Sequence, residues 1–435
     1  MNPNSQDLSA WNLGGPPPQG QYPGDSGYTQ GGYAGYPQPG YMAGQPGYPG
    51  GPQMGQAGYP GFPPMSGAPM GQPGYPGCPP MGQTGYPGCP PMGQPAAYQP
   101  GPQMCSQGGH QPSSGMGAIP ATNPTLRPFP NFRPDEDCAK LRKAMKGLGT
   151  DEKAIIEVFA HRTADQRAKL VTQFKTMYGK DLIKELKSEL SGHFEDVVEA
   201  MCYPLDELDA RELRRAMHGA GTDEDTLIEI LASRSNAHLR RVKEIYAKLN
   251  PGRDLEKDLR SETHGHFERI LVSLAQANRD ENPHVDMNAV RADAEALYKA
   301  GEGRLGTDES TFNRILVAKS KQHVRAVIEM YGQISKRDFE QALKSEMSGD
   351  LLRSFLAVTR CIRNEPKYFA YELYKSMKGA GTRDHKLIRI VVTRSEIDMA
   401  DIKREFQKAH GKTLEAMISS DTSGDYKRML LALIS

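Results

Sequence analysis

The first 126 residues contain no lysine and no arginine, and only two acids, Asp7 and Asp25. Aliphatic side chains are scarce there as well, and Trp11 is the one tryptophan of the 435-residue chain. Residues 1–120 instead hold 29 glycines, 26 prolines and ten tyrosines. Such a composition buries too little apolar surface to offset the entropy of ordering, so residues 1–126 are expected to form a disordered tail.

Other absences narrow the field. Nowhere does an apolar run approach the ~18 residues needed to span a bilayer. The opening residues Met1, Asn2, Pro3 and Asn4 supply neither a basic n-region nor an apolar h-region, so no secretory signal is expected. The six cysteines form no CxxC pair, which argues against structural zinc and a disulfide framework and fits a reducing, cytoplasmic location. Net charge is only +1, so bulk electrostatic attraction to nucleic acid or anionic lipid is not expected. No phosphate loop of the GxxxxGK type, no GxSxG elbow, no HExxH and no EF-hand loop occurs, and the chain is expected not to be an enzyme.

The tail has its own vocabulary. Residues 58–65 read GYPGFPPM, and residues 74–81 and 85–92 both read GYPGCPPM. Short polyproline stretches with spaced tyrosines favour weak self-association or partner docking over an inert spacer. Leu8, Trp11 and Leu13 form a small apolar group of the kind that anchors a partner.

From Arg127 onward the chain carries all 53 basic residues and 50 of its 52 acids. One element recurs four times: MKGLGTDE at 145–152, MHGAGTDE at 217–224, GEGRLGTDE at 301–309 and MKGAGTRD at 377–384. Each is followed by an apolar stripe at helical spacing, as in Ile155, Ile156, Val158 and Phe159. These stripes end near Arg162, Arg234, Lys319 and Arg394. Strand-like alternation is absent, so an all-α array of repeated units is expected.

A second element follows each glycine-rich loop. Glu189 lies in SELSG, Glu262 in SETHG, Glu346 in SEMSG and Asp421 in SDTSG, 40 or 41 residues beyond Gly149, Gly221, Gly306 and Gly381. Helix capping explains the glycine and the Thr-Asp pair of the loop but requires no distant carboxylate. A hard cation does: loop carbonyls plus one bidentate carboxylate suit Ca2+, which takes 6–8 oxygens. With one carboxylate per site, isolated affinity is expected near 10⁻⁴–10⁻³ M. A lipid phosphate could take an open position, so a near-neutral protein would meet an acidic membrane only when Ca2+ is present.

These residues resemble the annexin repeat, four times over, across about 70% of the chain, and the tail resembles that of the long-tailed annexins. The resemblance implies a curved disc of four five-helix repeats, at 131–202, 203–280, 286–362 and 363–435. It also implies Ca2+-dependent binding to acidic phospholipid, with membrane tethering. Carried over by residue, the first site is Met145, Gly147 and Gly149 with Glu189. The second is Met217, Gly219 and Gly221 with Glu262; the third is Gly301, Arg304 and Gly306 with Glu346; the fourth is Met377, Gly379 and Gly381 with Asp421. Small EF-hand proteins are implied as tail partners, although Tyr59, Pro60, Gly61 and Phe62 match a docking motif only in part. A tail-driven adaptor or condensate scaffold, recruiting protein or ribonucleoprotein to membranes, is the alternative role. Sequence-specific nucleic-acid binding is not expected, and the location is expected to be cytoplasmic and peripheral on membranes, with nuclear entry left open. Three departures stand out: His264 replaces the serine before Gly265, Arg383 replaces the acid after Thr382, and Lys319 stands where the other repeats have arginine.

Overall fold

The computed structural model describes residues 122–435, Leu148 excepted. The tail motifs and Trp11 therefore lie outside the described residues. Among those described, every regular element is a helix. The first unit is α1 (Pro134–Ala144), α2 (Glu152–Phe159), α3 (Ala164–Tyr178), α4 (Leu182–Glu189) and α5 (Gly192–Cys202). The second is α6 (Leu205–Ala216), α7 (Glu224–Ser233), α8 (Asn236–Leu249), α9 (Leu255–Glu262) and α10 (Gly265–Ala275). The third begins with α11 (Met287–Ala300), α12 (Glu309–Ala318), α13 (Lys321–Ser335) and α14 (Phe339–Glu346). Its fifth helix runs into the first helix of the fourth unit as α15 (Gly349–Met377). That helix bends at Asn364 (φ −159°, ψ 96°), whose side-chain oxygen accepts Lys367 N at 2.9 Å and so caps the second half, with Pro366 in the first turn, where a missing amide costs no helical bond. The fourth unit continues with α16 (Asp384–Arg394), α17 (Met399–His410), α18 (Leu414–Asp421) and α19 (Gly424–Ile434).

Local chemistry sets these boundaries. The aspartates after the loop threonines, Asp151, Asp223 and Asp308, accept backbone amides from Ala154, Thr226 and Thr311 and so cap the second helix of their repeats. Thr163 and Gln166 form a reciprocal capping box at α3. The first helix of each unit lies on its third, as α1 on α3, α6 on α8, α11 on α13 and the end of α15 on α17. Fully buried rings fill the space between them, among them Phe159, Phe174, Phe312, Phe339, Phe369 and Phe406. The fifth helix ends against a base from the third: Arg167 donates to Met201 O at 2.7 Å, Arg240 to Ala277 O at 3.0 Å, Arg325 to Ile362 O at 2.6 Å and Lys403 to Ile434 O at 2.6 Å. Each such charge-assisted bond satisfies a helix-end carbonyl, at about 1.5–3 kcal/mol.

The recurring bases close each unit differently. Arg162 holds Asp137 through two bonds of 2.7 and 2.9 Å, and Arg234 holds Asp209 through two of 2.7 and 3.0 Å. Burial opposes ionisation of Asp209, but Arg234 and His238 outweigh it and keep the carboxyl well below its usual range. In the third unit Lys319 stands 3.8 Å from Asp293, and His323 makes the close contact at 2.9 Å. A lysine offers no planar fork, so the two-bonded grip is lost there. In the fourth unit Phe369 faces Arg394 at 4.3 Å, and the arginine turns to Asp398 and Glu365.

Repeats one and four meet through α5 with α16 and α19, and through α2 with α19. Repeats two and three meet through α10 with α12 and α15. Arg389, 1% exposed, joins Glu229 of repeat two to repeat four with bonds of 3.0 and 2.8 Å. Residues 122–126, placed in the tail on composition, are anchored on the fourth repeat. Thr125 and Leu126 donate their amides to Ser395 O, Asn123 bonds to Asp401, and Leu126 is buried. Proline and glycine are absent from 125–126, and the backbone finds partners there.

Candidate functional site

The four glycine-rich loops join the first helix of each repeat to its second. Each is closed at its base by one backbone bond: Asp151 N to Ala144 O at 3.0 Å, Asp223 N to Ala216 O at 2.9 Å, Asp308 N to Ala300 O at 2.7 Å and Arg383 N to Ser376 O at 2.8 Å. Gly149, Gly221, Gly306 and Gly381 all have φ between 78° and 87°, a region that side chains with a Cβ rarely enter. Among the described residues, no hydrogen bond reaches the carbonyls of Gly147, Gly149, Gly219, Gly221, Arg304, Gly306, Gly379 or Gly381. Gly301 is the exception, its carbonyl accepting Arg304 N at 3.0 Å.

The acid that ends the fourth helix of each unit is brought to this loop. The Thr150 hydroxyl donates to the Glu189 carboxylate at 3.1 Å and to its carbonyl at 3.4 Å. Thr307 does the same to Glu346 at 2.9 and 3.1 Å. Thr382 bonds to the Asp421 carboxylate and, at 3.4 Å, to its carbonyl. From the sequence these threonines belong to helix capping; in the structure their hydroxyls hold the distant carboxylate. Their recurrence in all four loops was the signal available. In the third site a Cβ at Gly301 would come within 3.2 Å of Glu346 Cγ, so a larger residue there would press on the Glu346 side chain.

The second site differs. Thr222 reaches the Glu262 carbonyl at 3.4 Å and not its carboxylate. The connector ahead of α9 has five residues, 250–254, where the other units have three, and this accompanies the changed contact. His264 gives no side-chain cap to α10, but neither do Ser191, Ser348 and Ser423 at the same place. That substitution therefore has no capping consequence.

The loops also carry exposed groups. Lys146, His218, Arg304 and Lys378 are exposed, with Lys378 Nζ 5.3 Å from the Tyr374 ring. The third loop is one residue longer from its closing carbonyl to its cap. Leu305 lies on that loop and is fully exposed. The adjoining Glu302 is engaged by the Tyr331 hydroxyl at 2.9 Å and by Arg337. The donor set is oxygen alone, from carbonyls and one carboxylate per loop. That chemistry fits a hard divalent cation and not zinc, and among the described residues no cluster of three or more His, Cys, Asp or Glu side chains offers a metal site. Nor is any described helix long and apolar enough to cross a membrane.

The annexin family model matches four times, at 136–201, 208–274, 292–358 and 368–433. Human annexin A7 is 52% identical over 313 residues, 72% of this chain and 64% of that protein. Human annexin A11 is 49% identical over 327 residues, 73% of this chain and 65% of that protein, so the matched stretch spans less than two thirds of either relative. A solved structure of a calcium-bound annexin (Sm)1 superposes with a TM-score of 0.67 at 32% identity, covering 72% of this chain and 93% of that one. With four matched repeats, each built from the loop and acid described above, the chain belongs to the annexin family.

Proposed function

We propose that this chain binds acidic phospholipid surfaces in a Ca2+-dependent manner and tethers or organises membranes. The observation that carries the reading is the bond from the loop threonine to a carboxylate 39 residues away, made in repeats one, three and four. It holds a carboxylate beside a loop whose glycine carbonyls carry no hydrogen bond among the described residues, Gly301 excepted. The holding groups are Met145, Gly147, Gly149 and Glu189; Gly301, Arg304, Gly306 and Glu346; and Met377, Gly379, Gly381 and Asp421. Met217, Gly219, Gly221 and Glu262 form a weaker fourth set, because Thr222 does not tether the carboxylate.

Bound Ca2+ would supply the positive charge between these oxygens and a lipid phosphate. Everything else is done by the chain. The glycine turns aim carbonyls outward, the threonines restrain the acids, and Arg304 and Lys378 offer cations to headgroups. Leu305 offers an apolar tip to the interface, where burying a leucine is worth about 1.5–3 kcal/mol. Several weak sites on one rigid body gain by effective concentration. The relationship to the calcium-bound annexin (Sm)1 supports the choice of ion.

Co-sedimentation with phosphatidylserine vesicles tests the reading. The full chain should pellet with Ca2+ and stay in solution in chelator; pelleting in chelator would refute it. The adaptor role rests on the GYPG segments alone. Deleting residues 1–121 should abolish self-association and recruitment while leaving vesicle binding intact.

A further inference from the structure

Two segments cross between repeats outside the helical units. Residues 122–133 are held on repeat four by Ser395 O, and on repeat one by Gln166, which exchanges two bonds of 3.0 Å with the Phe129 main chain. Residues 276–286 are held on repeat two by Asn236, which exchanges bonds of 2.7 and 3.2 Å with the Arg279 main chain. On repeat three, Asp280 N donates to Ala318 O at 2.8 Å. The first crossing is filled: Leu126 is buried, and the Phe129 ring lies 3.6 Å from the Arg162 guanidinium. The second leaves a cavity of about 270 Å³.

That cavity has an apolar side formed by Leu231, Leu239, Leu274 and Val317, and a cationic side of Arg234, which is bound to Asp209, Lys321, whose ammonium lies 3.6 Å from Glu365, and Arg279. Arg279, half-buried, is unlike the arginines whose side chains are buried. Arg167, Arg234, Arg389 and Arg394 each reach a carboxylate. Arg279 makes one side-chain bond, Nη1 to Lys319 O at 2.7 Å, and among the described residues no carboxylate pairs with it. Burial pushes its guanidinium down to about 10. A half-buried cation with no carboxylate in contact, beside open space, favours an anion against it. The first turns of α8 and α13, at Asn236 and at Lys321 and Gln322, line the same space and add partial positive charge. Asp280 and Glu281 also line it, which disfavours a doubly charged guest.

We propose that this cavity binds a small monocarboxylate with an apolar body, its carboxylate on Arg279 and Lys321 and its hydrocarbon against Leu231, Leu239, Leu274 and Val317. The volume lies just under the ~300 Å³ lower bound of ordinary ligand pockets, which suits a body of about eight carbons. The site is separate from the glycine-rich loops and owes nothing to Ca2+.

Calorimetry and ligand-observed NMR on the full chain in chelator test this with octanoate, octan-1-ol and octyl phosphate. Octanoate should bind at least about tenfold more tightly than the alcohol or the phosphate. Arg279→Gln should weaken octanoate at least about tenfold, and Arg279→Lys should recover part of the loss. Lys403→Gln removes the equivalent carbonyl cap in repeat four, away from the cavity lining, and should leave binding unchanged. No octanoate binding at ~10 mM, equal binding of acid and alcohol, preference for the phosphate, or undiminished binding to Arg279→Gln would each overturn the proposal. If Arg279→Gln fails to fold, the acid-against-alcohol comparison on the unaltered chain still decides.

Discussion

Arg383 Nη1 donates to Asp225 Oδ2 at 2.9 Å, joining the residue after the fourth loop to the first turn of α7 behind the second. Asp225 also receives Arg353 Nη1, at 2.6 Å, from the start of α15 in the third repeat. Three repeats thus share one aspartate. Arg383 gives up the cap that an acid would provide at α16, and the α16 N-terminus accordingly lacks a side-chain cap.

Asp225→Asn should cost more stability than Arg383→Ala, because Arg353 and Lys386 also lose an anion. The Arg383 side chain is mostly exposed, so its coupling to Asp225 in a double-mutant cycle should be no more than about 1 kcal/mol. Urea unfolding of the four species measures it; a coupling of several kcal/mol would contradict this.

Thr307→Val should move the half-point of vesicle binding to higher Ca2+ by roughly two- to tenfold, the worth of one restraining hydrogen bond of about 0.5–1.5 kcal/mol. Thr222→Val should shift it much less, because Thr222 does not hold the Glu262 carboxylate. Equal shifts for the two would remove the distinction drawn between the sites.

Leu305→Ser should weaken vesicle binding about tenfold at fixed Ca2+ and leave the melting temperature unchanged, because the side chain touches solvent alone. A change in melting temperature without one in binding would assign Leu305 to packing.

Asp209 gives a pH signature. Its folded pKa is depressed, so its contribution to stability is complete above the ordinary aspartate range and is lost as pH falls below about 4. Asp209→Asn should cost about 3–5 kcal/mol near neutrality by stranding buried Arg234. The gap between variant and wild type should narrow as pH falls below about 4. A gap that grows on acidification would contradict the assignment.

The spacing of glycine and acid was legible because it recurs: four copies at offsets of 40 or 41 exclude coincidence, and helical stripes between them fix the class. The loss of a two-bonded grip at Lys319 was legible for the same reason, since three copies show arginine. Contacts made once were not. Arg383 and Asp225 lie 158 residues apart on surfaces that meet only after the repeats assemble. Arg279 reads as an ordinary linker base until Asn236 and Lys319 are seen to fix it beside a cavity. The anchoring of residues 122–126 on Ser395 and Asp401 likewise needs the fourth repeat in place.

The central claim is that carboxylates restrained beside the glycine-rich loops complete the ion sites. It is tested most directly by phosphatidylserine co-sedimentation of the chain carrying Glu189→Gln, Glu262→Gln, Glu346→Gln and Asp421→Asn together. The account predicts a folded protein that no longer pellets at Ca2+ concentrations saturating for the wild type. Pelleting of that variant with a wild-type Ca2+ dependence would contradict it.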